Sequence, residues 1–137
     1  MKIELIDSPH QDLINFLDNK IIEFNRANRE INDRYPITVA VKNNEGTVVA
    51  GASGNTFGNW LHLTTLWVSE ELRGQNYGNK LLKEIEQAAK LRGCKECLLD
   101  TLDYQAMPFY KKHGYNITWT QKNYPLTGCK YFMTKTL

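Results

Sequence analysis

Apolar residues recur with two different periods along the first half of the chain, and these periods separate strands from a helix. Residues 2–7 alternate between apolar and polar side chains, which predicts a short strand. A Ser-Pro pair at residues 8–9 then opens a helix. The apolar face of this helix has spacings of three and four residues: Leu13, Ile14, Leu17, Ile21 and Phe24. Residues 37–42 and 48–52, joined by an Asn-Asn-Glu-Gly turn, predict a β-hairpin.

The second half of the chain alternates strands with helices and ends in a pair of strands. Residues 60–68 are rich in aromatic and β-branched side chains and form the strongest predicted strand. An amphipathic helix follows, and Gly93 ends it. One face of that helix carries its apolar residues: Leu81, Leu82, Ile85, Ala88 and Ala89. The remaining predicted elements are a strand at 96–101, a helix at 105–113, and strands at 115–121 and 130–136.

The order of these elements predicts a mixed α/β fold in a single domain over residues 1–137. We expect a central, mostly antiparallel sheet of six to seven strands with helices on both faces. The 17 Lys and Arg nearly balance the 15 Asp and Glu, so no nucleic-acid partner is expected. No apolar run approaches the ~18–20 residues that span a bilayer. Three cysteines with no export signal predict a cytoplasmic protein.

The junction at residues 66–80 has the composition of an anion site. An apolar strand runs into a loop that contains Arg73, Gly74, Asn76 and Gly78, and the loop runs into the long helix. Small residues let a ligand approach the backbone, and the first turn of a helix presents unpaired N–H groups. A phosphate fits such a place, and Arg73 adds a full positive charge. The spacing matches neither a P-loop nor a dinucleotide-binding fingerprint.

Two segments resemble the signature motifs of one family. Residues 68–82 read Val-Ser-Glu-Glu-Leu-Arg-Gly-Gln-Asn-Tyr-Gly-Asn-Lys-Leu-Leu and resemble motif A of the GNAT superfamily of N-acetyltransferases, Arg/Gln-x-x-Gly-x-Gly/Ala. Residues 106–115 read Ala-Met-Pro-Phe-Tyr-Lys-Lys-His-Gly-Tyr and resemble motif B, Ala-x-x-Phe-Tyr-x-x-x-Gly-Phe/Tyr. A strand lies between them, and the element order fits over almost the whole chain. The resemblance implies the GNAT fold.

The chain departs from the family pattern at three positions. Asn76 stands where motif A usually has glycine, and Asn79 stands where a small residue is common. Because asparagine tolerates the left-handed backbone better than most residues, we expect the loop to form. Asp103 stands where many relatives have asparagine, so a side-chain amide contact is not expected there.

The resemblance implies acetyl-coenzyme A as the donor, held by the strand edge, the loop and the second motif. The backbone of the loop would cradle the pyrophosphate, and the strand edge would pair with the pantetheine arm. The residues implied in coenzyme binding are Leu66, Trp67, Val68, Arg73, Gly74, Gln75, Asn76, Tyr77, Gly78, Asn79, Lys80, Ala106, Phe109 and Tyr110.

The resemblance also implies catalytic roles. The backbone N–H near Leu66 would polarise the thioester carbonyl, and Tyr110 would act as the acid for the departing thiolate. The acceptor must lose a proton, because holding an alkylammonium neutral at pH 7 costs ~4–5 kcal/mol. Residues 60–68 contain no acid, so the base stays open between His62 and a chain of water molecules.

The acceptor pocket is expected between the first helix and the centre of the sheet. Its expected lining residues are Asn25, Arg26, Arg29, Tyr35, Trp60, Tyr104 and Gln105. Tyr124 on the last hairpin is another candidate. We expect transfer to a primary amine of a small molecule. The alternatives are a protein or peptide N-acetyltransferase and a non-catalytic module that binds or senses acyl-coenzyme A.

Three further expectations concern the thiols, His113 and the assembly state. Cys94 and Cys97 lack a second ligand pair, so we predict a structural role and no metal site. His113 is predicted to be a cation at a helix C-terminus. Family members are often dimers, so a homodimer is expected, with the strand at 130–136 as the edge that a partner would protect.

Overall fold

The computed structural model describes all residues 1–137 and separates into two compact units, Met1–Asp33 and Arg34–Leu137. The first unit contains one helix, α1 (Gln11–Asn28). His10 caps this helix, because its Nδ1 accepts a hydrogen bond from the backbone N–H of Leu13 at 3.2 Å. The strand predicted at residues 2–7 is absent, since this unit holds no second strand with which its backbone could pair.

The second unit contains six strands and two helices. In chain order these are β1 (Tyr35–Lys42), β2 (Val48–Phe57), β3 (Trp60–Val68), a short 3₁₀ turn (Glu70–Leu72), α2 (Tyr77–Leu91), β4 (Glu96–Leu102), α3 (Met107–Lys112), β5 (Asn116–Lys122) and β6 (Cys129–Thr136). The sheet order is β1-β2-β3-β4-β6-β5, and every neighbouring pair is antiparallel except β3 and β4. The predicted fold class is therefore confirmed. The edge lies elsewhere than predicted, because β6 is internal and β5 forms the edge.

The core lies between α2 and the sheet. The face of α2 predicted to be apolar is buried at Leu82, Ile85 and Ala89, and it packs on β1, β2 and β3. Glu86 is also buried on this helix, where its carboxylate accepts hydrogen bonds from the Tyr115 hydroxyl at 2.8 Å and from Lys135 Nζ at 2.9 Å. A buried carboxylate is tolerated when it is paired in this way.

A β-bulge in β3 changes which face its side chains occupy. Ser53 pairs with Thr65 and Gly54 with Leu63, so Thr64 is an extra residue in β3. Side chains alternate along a strand, and one extra residue reverses the phase. The apolar pattern Leu-x-Leu-x-x-Leu-x-Val thus keeps all four apolar side chains in or against the core: Leu61, Leu63, Leu66 and Val68. Gly54 fits beside the bulge because a Cβ there would collide with the His62 carbonyl group.

The parallel strands β3 and β4 pair over only a short stretch. Their register covers Trp60–Glu96, Leu61–Cys97 and His62–Leu98, and it ends there. Beyond these pairs β3 continues to Val68 and β4 continues to Leu102 without pairing to each other. The sheet therefore splays open between its two central strands, and the backbone of β3 past the bulge has no neighbour on that side.

Candidate active site

A cavity of about 400 Å³ occupies the opening between β3 and β4. We call it the splay cavity. Four separate segments build it, and its lining residues are Thr64, Thr65, Leu66, Asp100, Thr101, Leu102, Gln105, Tyr110, Tyr124 and Lys130. The lining is largely polar and carries hydroxyl, amide and charged groups, and its aliphatic residues are Leu66 and Leu102. Such a mixture suits a small polar ligand.

The peptide groups of β3 beyond the bulge divide between the two sides of the strand. The Ser69 N–H donates to the Val49 carbonyl oxygen at 2.9 Å, just past the last β2–β3 pair. Hydrogen-bonded and non-hydrogen-bonded pairs alternate along an antiparallel ladder, so the pairs that contain Leu66 and Val68 are of the second kind. The N–H and C=O groups of Leu66 and Val68 therefore point away from β2, into the opening towards β4.

Tyr110 lies on α3 and reaches the splay cavity from the core. Its side chain is buried, and its ring makes edge contacts with Phe109 and Tyr115 at centroid distances of 5.3 and 5.7 Å. Burial raises the pKa of the Tyr110 hydroxyl to about 12, and the nearby Cys97 thiol acts in the same direction. The hydroxyl therefore stays protonated throughout the neutral range and can act as a hydrogen-bond donor.

Gln105 is held at the cavity wall by the end of β4. Its Oε1 accepts a hydrogen bond from the backbone N–H of Leu102 at 2.7 Å and another from the Thr101 hydroxyl at 3.4 Å. Thr101 is buried and accepts from the Ala106 N–H at 3.3 Å. Because the amide oxygen is engaged by the protein, the Gln105 NH₂ group can donate to a ligand.

Two charged residues of the splay cavity were not expected from the sequence. Asp100 lies on β4 and Lys130 on β6, where they are diagonal neighbours in the ladder, with Nζ 4.0 Å from Oδ1. The Lys130 ammonium also lies 4.2 Å from the centroid of the Tyr124 ring. The sequence holds no local signal for this cluster, because β4 and β6 become neighbours only through the sheet order.

A second cavity, of about 420 Å³, lies where the loop after β3 meets α2 and α3. We call it the loop cavity. Its lining residues are Val68, Leu72, Arg73, Gly74, Asn76, Tyr77, Gly78, Asn79, Phe109, Lys112 and His113. No carboxylate is among them, whereas Arg73 and Lys112 carry positive charge. The cavity is therefore suited to an anionic ligand.

The backbone of this loop has the conformation expected of an anion cradle. Gly74 has φ +78° and Asn76 has φ 69°, both in the left-handed region. The expectation that Asn76 tolerates this conformation is confirmed, and α2 begins directly after it at Tyr77. Alternating conformations of this kind turn successive N–H groups towards one point. Arg73 is held in place because its Nε donates to the Val68 carbonyl oxygen at 3.2 Å.

His113 closes the far side of the loop cavity. It is the C-terminal cap of α3, where its Nδ1 lies 2.8 Å from the Phe109 carbonyl oxygen and its Nε2 lies 2.9 Å from Asn79 Oδ1. This contact ties the end of α3 to the first turn of α2. Sequence reasoning placed His113 at a helix C-terminus but did not connect it to Asn79, since the contact depends on how two helices pack.

The two cavities are adjacent along both β3 and α3. On β3, Leu66 lines the splay cavity and Val68 lines the loop cavity. On α3, Tyr110 lines the splay cavity and Phe109 lines the loop cavity. Of the residues expected to bind the coenzyme, four line neither cavity: Trp67, Gln75, Lys80 and Ala106. The Gln75 amide instead donates to the Glu71 carbonyl oxygen at 3.1 Å.

The structure places His62 and Trp60 apart from Tyr110. Both line a third cavity, of about 230 Å³, together with Arg34 and Phe57, and that cavity shares no lining residue with the splay cavity. The reason is that both residues precede the bulge, where β3 is still paired with β4. Among the other expected acceptor residues, Gln105 and Tyr124 line the splay cavity, whereas Tyr104 is 77% exposed outside it. Asn25 lies on α1 in the first unit.

The three cysteines are all free thiols. Cys94 and Cys97 are buried, and burial raises the pKa of the Cys97 thiol to about 11. Burial likewise raises the pKa of the Cys94 thiol, with Arg92 opposing the shift. Nowhere do three or more His, Cys, Asp and Glu side chains converge in a way that could hold a metal ion. None of the helices combines the length and the apolar character that crossing a membrane requires.

Comparison with known proteins identifies the family. The model of the acetyltransferase (GNAT) family matches residues 4–115. The chain belongs to this family. A crystal structure of an acetyltransferase from Bacillus cereus ATCC 14579 is 34% identical and superposes with a TM-score of 0.88 over 98% of each chain.

Two curated GNAT relatives extend the comparison. Acetyltransferase Atu2258 of Agrobacterium fabrum (strain C58 / ATCC 33970) is 26% identical to this chain. The match covers 90% of this chain and 100% of that protein. Blasticidin-S acetyltransferase of Streptomyces morookaense is 31% identical over 67% of this chain and 68% of that protein. The range that the family model matches includes both motif segments, residues 68–82 and 106–115.

Proposed function

We propose that this GNAT protein is an acetyl-coenzyme A-dependent N-acetyltransferase that transfers the acetyl group directly to a primary amine of a small molecule. One observation carries the proposal: the unpaired edge of β3 connects a cationic backbone cradle to a cavity that contains Tyr110. The family match over residues 4–115 supports treating the whole chain as one N-acetyltransferase domain.

The loop cavity has the features that a coenzyme pyrophosphate requires. The N–H groups of residues 74–79 would hold the phosphate oxygens, and Arg73 would add charge-assisted hydrogen bonds. The Leu66 carbonyl oxygen and the Val68 N–H would pair with the amide-rich pantetheine arm, as an added strand pairs with a sheet edge. The Leu66 N–H then stays available for the thioester, and the Val68 carbonyl oxygen stays with Arg73. When bound, acetyl-coenzyme A would supply a reactive acetyl thioester.

Within the splay cavity, Leu66 and Tyr110 would act on the two ends of the thioester. The Leu66 N–H would hydrogen-bond the carbonyl oxygen as negative charge develops on it. A thiol has an ordinary pKa of about 8.5, so full proton transfer from a tyrosine at about 12 costs ~5 kcal/mol. Tyr110 therefore serves as a hydrogen-bond donor that stabilises the leaving thiolate, rather than as its final proton source.

A small-molecule acceptor fits the site better than a protein does. The splay cavity is bounded by polar groups from four segments, including Gln105 and Tyr124. The similarity to blasticidin-S acetyltransferase favours the same interpretation. A protein or peptide acceptor is the alternative within the same chemistry, and a non-catalytic acyl-coenzyme A-binding module is the alternative outside it.

Two further properties complete the proposal. Three free thiols, two of them buried, support a cytoplasmic protein. The exposed edge strand β5, where Trp119 is 58% exposed, supports a homodimer that pairs along this edge. Light scattering over a range of concentrations tests the dimer, and a constant monomer mass would contradict it.

Product mass spectrometry tests the proposed reaction. The protein is incubated with acetyl-coenzyme A and a pool of polyamines, amino acids, aminoglycosides, nucleoside antibiotics and short peptides. We expect one acetyl group to be added to a small amine in a protein-dependent manner. Acetylation of the peptides alone would favour the protein acceptor. Coenzyme binding without any product would favour the non-catalytic module.

A further inference from the structure

Asp100 is the carboxylate of the splay cavity. Among the lining residues it is the sole acidic side chain, and it stands two residues past the last β3–β4 pair, where the sheet has opened. Its side chain is 40% exposed, so a ligand in the cavity can reach it. Across the opening, β3 presents only the hydroxyl groups of Thr64 and Thr65 and the apolar Leu66.

The chemistry proposed above requires a group of this kind. An acceptor amine arrives as an ammonium ion at neutral pH and must lose a proton before its lone pair can attack. Residues 60–68 contain no acid, and His62 lines a different cavity. We infer that Asp100 binds the ammonium group of the acceptor in the splay cavity and receives its proton. This inference rests on the proposed function.

The groups around Asp100 favour this role. Lys130 Nζ lies 4.0 Å from Oδ1, at the outer limit of an ion pair, so the carboxylate keeps capacity for a second cation. Contact with the Tyr124 ring holds the Lys130 ammonium to one side. The other titratable groups that line the cavity with Asp100 are Lys130 on β6, Tyr124 before β6 and Tyr110 on α3. β3 contributes no charge.

The proton and electron balance closes without another reactant. The ammonium nitrogen gives one proton to Asp100, which passes it to solvent, and the nitrogen lone pair forms the C–N bond. The C–S bond breaks, its electron pair leaves on sulfur, and Tyr110 hydrogen-bonds the thiolate. The nitrogen then loses its second proton and the thiolate takes up one. The net products are the N-acetyl amine, free coenzyme A thiol and one proton.

The test compares Asp100→Asn with Glu96→Gln in the pure full-length protein. Glu96 is a matched control because it lies on the same strand, outside the splay cavity, against Thr136. With an acceptor found in the amine pool, kcat/KM is measured over a pH series, and coenzyme A affinity is measured by calorimetry. We expect D100N to lose about 100-fold or more in kcat/KM and to lose the acidic limb of the profile. Coenzyme affinity should stay within about twofold.

Other outcomes separate the two claims. If D100N keeps its rate within about threefold and retains the acidic limb, Asp100 is not the proton acceptor, although the proposed reaction stands. If D100N loses coenzyme affinity as well, the residue is structural and the inference fails. If the wild-type protein acetylates no amine, the proposed function fails, and the role of Asp100 fails with it. Partial recovery in Asp100→Glu would support the carboxylate itself.

Discussion

The two adjacent cavities differ in the number of chain segments that line them. The loop cavity is lined mainly by one continuous segment, residues 68–79, in which Gly74 and Asn76 adopt left-handed conformations. The splay cavity is lined by four separate stretches of chain, namely β3, β4, residues 105–110 and the residues around β6, and most of its polar side chains come from different stretches. A donor common to a family can be held by peptide groups, which survive most substitutions. An acceptor that differs between members has to be selected by side chains, which change readily.

Among changes in the splay cavity, removal of the Tyr110 hydroxyl is expected to have the largest effect on the rate. Tyr110→Phe keeps the ring contacts with Phe109 and Tyr115 but cannot stabilise the leaving thiolate. We expect kcat to fall by about 100-fold or more, since the loss of one hydrogen-bond donor to a developing negative charge costs about 100- to 1000-fold. Coenzyme A affinity should change by less than about twofold, because the loop cavity is untouched. Steady-state kinetics and calorimetry measure the two quantities.

Tyr104→Phe is the matched control, because Tyr104 is exposed and lines neither cavity. The pH profile gives a second check. Since the pKa of Tyr110 is raised to about 12, its hydroxyl remains protonated up to about pH 11. Any loss of rate between pH 8 and 10 must therefore persist in Tyr110→Phe. A basic limb that disappears in this variant would contradict the raised pKa.

Coenzyme binding at the loop cavity should depend on the backbone conformation of the loop more than on its side chains. Asn76→Val places a β-branched residue at φ 69°, which costs about 1–2 kcal/mol. We expect coenzyme A to bind about 5- to 30-fold more weakly, if this cost falls on the bound conformation. Asn76→Gly should bind as well as the wild type. Equal dissociation constants for the valine and glycine variants would show that the left-handed conformation is not needed.

The same contrast explains how much the sequence could predict. The loop cavity was predictable because glycine, asparagine and arginine stand close together before an amphipathic helix, so the signal is local. The element order was predictable from periodicity, except for residues 2–7, where alternation has no partner strand to pair with. The contact between Asp100 and Lys130 was not predictable, because it depends on β6 lying between β4 and β5.

The bulge in β3 has a signal in the sequence, namely the spacing of the apolar residues of this strand. Strict alternation would place Leu63 and Leu66 on opposite faces, and only one extra residue brings both against the core. The extra residue is Thr64, whose hydroxyl donates to the Ser53 carbonyl oxygen at 3.0 Å. This break in the pattern marks the point past which β3 leaves β4. It therefore also separates the residues of β3 that line the splay cavity from those that line the third cavity.

His62 gives the smallest expected effect and the sharpest test of that boundary. It precedes the bulge and lines a cavity that shares no residue with the splay cavity. We expect His62→Ala to keep kcat/KM within about twofold and to leave the pH profile unchanged. The reason is that the imidazole and the proposed acceptor site lie in different cavities. A loss above about tenfold, together with a vanished acidic limb, would make His62 the proton acceptor. The role inferred for Asp100 would then be wrong, and residues before the bulge would belong to the active site.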